Sequence, residues 1–401
     1  MKPVSVLDIG SSKVVCLCGA SAHVDGIMVY GVGTAPYEGF DGGEFSNEDS
    51  LHDAILTAVE QAEQQSGSRI REIAIAVPAN FCKIVTTQAT SRVESKKKRF
   101  LVADIDELEE RAVSKATCEG HILMHNTALC YIVDGEETDE PPINERAAEV
   151  SVIVTCTFVE EGFVSRFEKI LQDLDIGISL FLSAALAEAR HIIPQEERVR
   201  PAVLIDVGYT HTEISVIENS CVTRMLTFEA GGYQIASDLS FGLDIPLEYA
   251  EQVKRRYAFL QDPLSKVEIV RMPTGVRKFD HQDVKLIVES RTEELCTLIR
   301  DALEQLEIRP ELRPAIYLTG GGLSPMRSSG EYLREQLGMP VKRDIPSYLH
   351  EMNSPSYTSA FGALDFVLYA SRPLQQAVEE EAEQHTSGSL IARIRDFLTK
   401  E

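Results

Sequence analysis

The chain has 401 residues, a formal net charge of −24 and 44% hydrophobic residues. This length and composition predict a folded chain with two or more domains, and the negative charge argues against nucleic-acid binding, which needs a basic surface. Eight cysteines without paired C-x-x-C spacing predict buried free thiols in a reducing compartment. No apolar run reaches the roughly 20 residues of a transmembrane helix, and no signal peptide precedes the first strand, so we expect a cytoplasmic protein.

The first part of the chain predicts a compact α/β unit. Residues 4–36 are typical of strands joined by glycine turns, followed by a helix over 51–65 and a buried strand over 73–77. This order is that of an RNase H-like unit. Its first strand ends at Asp8 and turns through residues 10–13 (Gly-Ser-Ser-Lys). Such a turn can form an anion-binding concavity from successive N–H groups, and its Asp can hold a hydrated Mg²⁺.

Residues 85–166 predict an inserted α+β module, with a helix that begins near Asp104 and a strand over 150–158. A helix over 163–174 and a strand over 176–182 then continue the first unit. The next helix, over 183–193, carries Glu188, the one candidate to orient water for in-line hydrolysis. An exposed helical glutamate is the ordinary alternative for this residue.

A second turn of the same kind follows a strand over 203–207 and contains Asp206 and Gly208. Either copy alone fits an ordinary β-hairpin, but a repeat half a chain apart predicts two similar domains around a cleft. Residues 245–310 predict three helical segments, one of them over 283–306. A buried strand over 315–319 opens into three glycines at 320–322, where backbone can approach a flat ligand closely.

The end of the chain has a different composition. Residues 373–388 are acidic and predict a flexible linker. The last 13 residues predict an amphipathic helix about 20 Å long. Such a helix can lie in a membrane interface, and packing onto the body or a partner is the alternative. Its apolar face consists of Leu390, Ile391, Ile394, Phe397 and Leu398.

Three motifs together resemble those of the actin, Hsp70 and sugar-kinase superfamily: residues 8–13, residues 206–212 and residues 318–322. A closer similarity to the FtsA family of bacterial cell-division proteins rests on four further features. They are residues 231–238 with 250–254, the inserted module, the helix at 183–188, and the tail. The resemblance implies an α/β fold with two RNase H-like, actin-like domains around a nucleotide cleft, an inserted SHS2-type subdomain and a C-terminal amphipathic helix.

The family's domain plan implies boundaries for this chain. They are subdomain 1A at 1–84 and 167–200, subdomain 1C at 85–166, subdomain 2A at 201–228 and 311–372, subdomain 2B at 229–310, the linker at 373–388 and the membrane-targeting helix at 389–401.

The resemblance also implies ATP and Mg²⁺ as cofactors, with Asp8 and Asp206 positioning the Mg²⁺ mostly through water. The residues expected to contact nucleotide are Gly10, Ser11, Ser12, Lys13, Gly208, Tyr209, Thr210, Gly231, Gly232, Glu251, Lys254, Gly320, Gly321 and Gly322. Glu251 and Lys254 would contact the ribose and adenine, although residues 254–256 alone also fit an exposed basic turn. Tyr209 and His211 replace small or flexible positions of the family motif. With these departures the resemblance still implies nucleotide binding, and ATP hydrolysis is expected to be weak at most.

The family function that the resemblance implies is an ATP-dependent scaffold that polymerises on the inner membrane. It would tether the FtsZ ring at the division site through the FtsZ C-terminal peptide and recruit other division proteins. Arg291 resembles a basic residue used for that peptide, and an ordinary exposed arginine is the alternative. A PilM-like pilus-assembly actin homologue and a small-molecule kinase are the other functions considered. The predicted tail argues against the first, and no substrate-side catalytic aspartate was found for the second.

Overall fold

The computed structural model describes residues 3–21, 26–92, 99–198, 200–262, 265–343, 352 and 354–381, with side chains except at 312 and 371–381. Within these ranges the strands are β1 (Val4–Ile9), β2 (Lys13–Ser21), β3 (Ile27–Pro36), β4 (Phe40–Asp41), β5 (Glu44–Phe45), β6 (Glu72–Val77), β7 (Cys82–Arg92), β8 (His121–Val133), β9 (Glu136–Thr138), β10 (Glu149–Glu160), β11 (Gly177–Ser183), β12 (Ala202–Val207), β13 (Thr212–Glu218), β14 (Cys221–Phe228), β15 (Val267–Met272), β16 (Gly275–Asp280), β17 (Ala315–Thr319) and β18 (Val341–Arg343). The helices are α1 (Glu48–Ser66), α2 (Val102–Val113), α3 (Glu161–Asp173), α4 (Ala184–Ile192), α5 (Gln195–Arg198), α6 (Gly232–Leu243), α7 (Leu247–Arg256), α8 (His281–Gln305), α9 (Ser329–Leu337) and α10 (Thr358–Glu381).

Two five-stranded sheets repeat one topology. The first has the order β3-β2-β1-β6-β11 and the second the order β14-β13-β12-β17-β18. In the first sheet the central strand β1 pairs antiparallel with β2 and parallel with β6. In the second sheet the central strand β12 pairs antiparallel with β13 and parallel with β17. Asp8 and Asp206 therefore stand at equivalent positions near the ends of the two central strands. The predicted α/β fold with two similar units is confirmed.

Helices cover both faces of the first sheet. Helices α1 and α3 pack on one face, because both carry apolar residues at helical spacing. Helix α1 is also well capped: Asn47 accepts a hydrogen bond from Ser50 N, and Gly67 ends the helix at φ 67°. Helices α4 and α10 pack on the other face. The second sheet carries α6 to α9 on one face, and the end of α4 on the other. Helix α4 therefore contacts both sheets.

Helix α10 corrects two predicted boundaries. Its apolar residues lie with α4 on the first sheet, whereas the predicted plan placed residues up to 372 with the second. An apolar helical face predicts burial, but it does not say which sheet buries it. The helix also continues to Glu381, nine residues into the predicted linker at 373–388, because glutamine, alanine and glutamate are good helix formers. The rest of that linker and the tail at 389–401 lie outside the described residues.

Residues 245–310 contain two helices in their described part, α7 and α8, where the sequence predicts three. The missing segment is the hairpin β15–β16. Val267 and Ile269 on its outer face are 43% and 45% exposed, whereas Val270 on its inner face is buried. Strands of six residues with apolar side chains on both faces give no clear period, which explains the wrong prediction.

The inserted segment forms a third sheet of order β7-β10-β8-β9 with α2 packed on one face. A tight turn at Asp134 and Gly135 joins β8 to β9, with φ 49° and 95° at the two residues. Asp134 Oδ1 accepts hydrogen bonds from Ala148 N and Glu149 N at 2.8 and 2.9 Å, which fixes this end of the module.

Side chains of α1 cover the edge of the first sheet at β3. Val32 N donates to Gln65 Oε1 at 2.6 Å, and Thr34 N donates to Gln61 Oε1 at 2.9 Å. Gly33 permits this close approach, since a Cβ there would overlap the carbonyl of Ala58. Among the described residues, none of the helices combines the length and apolarity needed to span a bilayer.

Candidate nucleotide-binding site

The two predicted turns have the same backbone hydrogen bond and lie in contact. In the first turn Gly10 N donates to Lys13 O at 3.0 Å, and in the second Gly208 N donates to His211 O at 2.9 Å. Thr210 N donates to Ser11 Oγ at 3.2 Å across 199 positions of sequence. The fold therefore brings together the two turns that the sequence predicts as phosphate-binding.

The predicted glycines converge on the second turn. Gly232 N donates to Gly208 O at 3.0 Å, and Gly322 N donates to Val207 O at 2.7 Å. A Cβ at Gly322 would overlap Gly208 O, and one at Gly231 would lie 2.6 Å from the same oxygen. These positions accept no side chain, because backbone meets backbone there. Gly320 adopts φ 86° beside the Asp206 carboxylate, a conformation that favours glycine.

Asp8 is buried and Asp206 is half-buried near these turns. Ser359 Oγ donates to Asp8 Oδ1 at 2.6 Å, and burial raises the pKa of Asp8. Asp206 Oδ1 is buried and has no hydrogen-bond partner among the residues that the structure describes. Burial and the Asp8 charge raise the pKa of Asp206 to about 7. A buried carboxylate oxygen without a partner is unfavourable until a cation or donor reaches it.

Two more carboxylates face this pair. Glu188 is 3% exposed, so the alternative of an exposed helical glutamate is wrong. Burial, followed by the charge of Asp206, raises its pKa well above the usual range. Glu213, which the sequence analysis missed, stands directly across from Asp206 in the β12–β13 pair. Burial and Asp206 raise the pKa of Glu213 to about 8. The sequence predicts this hairpin, and pairing its two strands would have placed Glu213 opposite Asp206.

These carboxylates fit a hydrated Mg²⁺ better than a direct protein cage. Among the described residues, no three His, Cys, Asp or Glu side chains are grouped to hold a metal. Mg²⁺ commonly keeps several waters and binds one or two carboxylates together with substrate phosphates. The unpartnered oxygen of Asp206 and the nearby Asp8 suit that mode.

Lys13 provides the positive charge of the first turn. Its Nζ donates to Ser356 Oγ at 3.2 Å and lies 3.5 Å from the centroid of the Tyr357 ring. Burial lowers the pKa of Lys13 to about 8, with the Asp8 charge opposing that shift. The ammonium is therefore still charged at neutral pH. Tyr37 supports the turn by donating its hydroxyl to Gly10 O at 2.7 Å.

A groove of about 410 Å³ opens beside the second turn. This volume suits part of a nucleotide. Glu251 lines it and accepts from Arg255 Nε at 2.8 Å, while the Tyr209 ring contacts Tyr233 edge-on at 5.4 Å. The lining residues are Tyr209, Leu247, Glu248, Glu251, Gln252 and Arg255.

Lys254 lies beneath the site and not in the groove. It is 1% exposed, its Nζ donates to Gly232 O at 3.0 Å, and it forms an ion pair with Glu251 at 2.8 Å. Burial lowers its pKa, and the Glu251 charge opposes that shift. The alternative of an exposed basic turn is therefore wrong for Lys254, which fixes α7 to the turn before α6, and its contact with nucleotide stays a prediction.

His211 and Arg291 lie away from the groove. His211 Nδ1 hydrogen-bonds Thr210 Oγ1 at 2.8 Å, and its ring packs edge-on against Phe40 at 5.1 Å. Burial lowers the pKa of His211. Arg291 on α8 is one-third exposed and pairs with Asp238 at 2.6 Å and Glu294 at 2.7 Å. Its role in partner binding stays a prediction, as does that of the five tail residues outside the described part.

Known proteins match both the sequence and the fold. The family model for Cell division protein FtsA matches residues 203–362. Cell division protein FtsA of Pseudomonas aeruginosa is 25% identical over 379 residues, covering 92% of this chain and 89% of that protein. The Escherichia coli K12 protein of that name is 22% identical over 417 residues, covering 100% and 98%.

Two solved structures show the fold. The PilM–PilN type IV pilus biogenesis complex superposes with a TM-score of 0.60 at 16% identity, covering 90% of this chain and 97% of that one. MreB 5 of Spiroplasma citri bound to AMPPNP gives 0.54 at 12% identity, covering 95% and 99%.

The repeated sheets and the paired turns between them define an actin-like fold. Within that class the sequence is similar to FtsA over nearly its whole length, and the predicted resemblance to FtsA is confirmed.

Proposed function

We propose that this chain binds ATP between its two turns, polymerises on the cytoplasmic face of the inner membrane and tethers the FtsZ ring to it at the division site. The observation that carries the nucleotide part is the contact between the turns, with Thr210 N on Ser11 Oγ and the unpartnered Asp206 oxygen nearby. The similarity to FtsA supports the cell-division part, including the recruitment of other division proteins.

In this proposal the two turns hold the phosphates through backbone N–H groups and hydroxyls, and Lys13 neutralises part of their charge. Asp8 and Asp206 hold the Mg²⁺ through water. The cation would neutralise phosphate charge and relieve repulsion within the acidic cluster. Because one turn belongs to each sheet, a nucleotide bound to both would favour one relative position of the two units. Helix α4 contacts both sheets, so it would transmit a change in their relative position.

Hydrolysis is expected to be weak. Burial and neighbouring acids favour the protonated form of Glu188 in the nucleotide-free protein, and a protonated carboxyl is a poor base. Glu188 therefore becomes competent only if bound cation and nucleotide lower its pKa. This fits a protein in which nucleotide binding matters more than turnover.

Membrane attachment is assigned to the tail at 389–401, and FtsZ binding to the surface around Arg291. Arg291 is one-third exposed, so a carboxylate of the FtsZ C-terminal peptide would compete with Asp238 and Glu294 for its guanidinium. A matched pair of variants tests this surface. We expect Arg291→Glu to weaken binding of the FtsZ peptide, while Lys285→Glu, six positions away on α8, leaves it unchanged.

The experiment that tests the tether is vesicle pelleting of the full chain and a chain ending at Glu381, with and without ATP and FtsZ. The shorter chain keeps all of α10 and loses the predicted tail. We expect the full chain to pellet with vesicles and to bring FtsZ with it, and the shorter chain to remain in the supernatant. Equal pelleting of the two chains would contradict the tether.

A PilM-like role is the second candidate, because the fold matches that of the PilM–PilN complex. Binding of a PilN peptide in place of the FtsZ peptide would favour it. Transfer of phosphate from ATP to a small-molecule acceptor would instead favour a kinase.

A further inference from the structure

Resting on the proposed nucleotide site, we infer that residues 354–359, the turn that leads into α10 (the α10 entry turn), position both charged groups of the first phosphate turn. Ser359 orients the Asp8 carboxylate toward the cation, and Tyr357 with Ser356 holds the Lys13 ammonium toward the phosphates. No motif in the sequence analysis includes these three residues. They act through Asp8 and Lys13 and are positioning residues.

The contact to Asp8 is short and specific. Ser359 Oγ donates to Oδ1 at 2.6 Å, and Asp8 is 8% exposed. A hydroxyl that donates to one carboxylate oxygen fixes the plane of the carboxylate and leaves the other oxygen for a metal-bound water. Partners of this kind behind a metal-binding carboxylate commonly change metal affinity by ~10-fold or more when they are removed.

The contact to Lys13 combines two interactions. Ser356 Oγ accepts one of the three ammonium N–H donors at 3.2 Å, and the Tyr357 ring lies 3.5 Å from Nζ on another side. No hydrogen bond from the remaining N–H donors to the described part of the chain is seen, so these donors can bind phosphate oxygens. Because both contacts come from the same short turn, the ammonium is held in place before the ligand arrives.

The α10 entry turn also contacts the third predicted motif. A Cβ at Gly321 would lie 2.8 Å from the Cβ of Ser356. At the next turn of α10, Gly362 lies against the α4 backbone, where a Cβ would be 2.8 Å from Ala187 O. The α10 entry turn therefore touches the first phosphate turn and the three-glycine turn, and the helix that it leads into touches the helix that carries Glu188. Its position is fixed on several sides, as a positioning element requires.

The two halves of the proposal predict different effects on equilibrium binding of a fluorescent ATP analogue to the full chain. For Ser359→Ala we expect the gain in affinity produced by Mg²⁺ to fall ~10-fold, with affinity in EDTA unchanged. For Tyr357→Leu we expect affinity to fall ~5-fold equally with Mg²⁺ and with EDTA, because the ammonium acts on phosphate directly. Ser359→Thr and Tyr357→Phe, which keep the hydroxyl and the ring, should retain near-normal binding. Ser114→Ala, at the end of α2 in the inserted module, is the matched control.

Each outcome separates the hypotheses. If the unsubstituted chain binds no nucleotide in either condition, the proposed function fails, and this inference fails with it. If the unsubstituted chain binds and Ser359→Ala keeps the full Mg²⁺ effect, or loses affinity equally in EDTA, the positioning of Asp8 is overturned and the proposed function stands. Equal affinity of Tyr357→Leu and Tyr357→Phe overturns the positioning of Lys13. Should Ser359→Ala unfold, Ser359→Cys, a weaker donor of similar size, provides the same test.

Discussion

The first and second phosphate turns share a backbone and differ in what supports it. Each closes with a glycine N–H donating to the carbonyl three residues on, at 3.0 and 2.9 Å. The first turn is supported by side chains, through Tyr37 on Gly10 O and Ser359 on Asp8. The second is supported by backbone, because Gly231, Gly232 and Gly322 pack directly on its carbonyls.

The side chains that the turns present also differ. Lys13 faces the cleft with a positive charge, whereas His211 turns toward Phe40 and Tyr209 toward the α7 groove. The two turns therefore share the backbone conformation proposed to bind phosphate, but they differ in the contacts that support it and in the side chains that they present. Steric substitutions should harm the second turn most, and changes of charge or hydroxyl should act at the first.

The largest expected effect comes from filling the backbone contact behind the second turn. Gly322→Ala places a methyl group on Gly208 O and should lower the free energy of unfolding by about 3 kcal/mol or more. Gly10→Ala in the first turn is the counterpart, since its Cβ would lie 3.2 Å from Lys13 O and needs only a small adjustment. Denaturant unfolding of both variants measures the difference. Equal losses would show that the two turns are supported alike.

Removing the buried charge at Asp206 should stabilise the nucleotide-free protein. The folded-state pKa of about 7 lies above the usual value of 3.8, so the folded state holds a proton that the unfolded chain has lost. Its contribution to stability therefore falls as pH rises from about 4 to 7. We expect the gain in unfolding free energy from Asp206→Asn to be about 2 kcal/mol larger at pH 8 than at pH 5.

Denaturant unfolding without Mg²⁺ at the two pH values checks this expectation. Asp53→Asn, whose side chain is 82% exposed, is the control for removal of a surface carboxylate. A gain at Asp206 that is the same at both pH values would mean that the buried charge is not its source.

The charge of Lys13 should make phosphate affinity depend on pH. With a pKa of about 8, the ammonium is lost as pH rises above 8, and affinity for the ATP analogue should then fall by up to ~10-fold per pH unit. Lys13→Arg keeps its charge throughout this range and should flatten the curve. The affinities of the unsubstituted chain and of Lys13→Arg are compared by binding titrations between pH 7 and about 10. EDTA removes Mg²⁺, so that cation binding by the carboxylates does not affect the result. Parallel curves for the two proteins would remove Lys13 from the phosphate site.

The smallest expected effect is that of His211. Its ring packs on Phe40, and its buried Nε2 has no hydrogen-bond partner within the described ranges, so His211→Phe should change stability by only about 0.5 kcal/mol. Nucleotide affinity should stay within ~2-fold of the unsubstituted chain. A loss of ~10-fold would place the imidazole on the phosphates and make the second turn as dependent on its side chains as the first.

The sequence predicts the parts of this site whose residue types have a local cause. Gly208 and Gly320 were found because tight turns and close backbone contacts demand glycine, and Asp206 because it ends an apolar strand. The burial of Lys254 could not be predicted, since a basic run on a helix does not reveal which lysine points inward. Glu213 needed the β12–β13 register, which pairs it with Asp206.

The α10 entry turn shows the limit most clearly. This short segment consists of common loop residues, among them Ser356, Tyr357 and Ser359. Their proposed role comes only from packing against a turn nearly 350 positions earlier in the chain. Long-range packing also explains why α10 lies on the first sheet, whereas the sequence predicts it on the second. Local pattern identifies the helix, and long-range packing decides its partner.

The glutamines on α1 have a consequence for assembly. An open strand edge invites another chain to continue the sheet, and such addition is hard to limit to one geometry. With Gln61 and Gln65 occupying the amides of Thr34 and Val32, β3 offers an incoming strand no free donors at these positions. Strand addition is therefore disfavoured at this part of the edge, and copies that associate there would do so as folded bodies that can separate again intact.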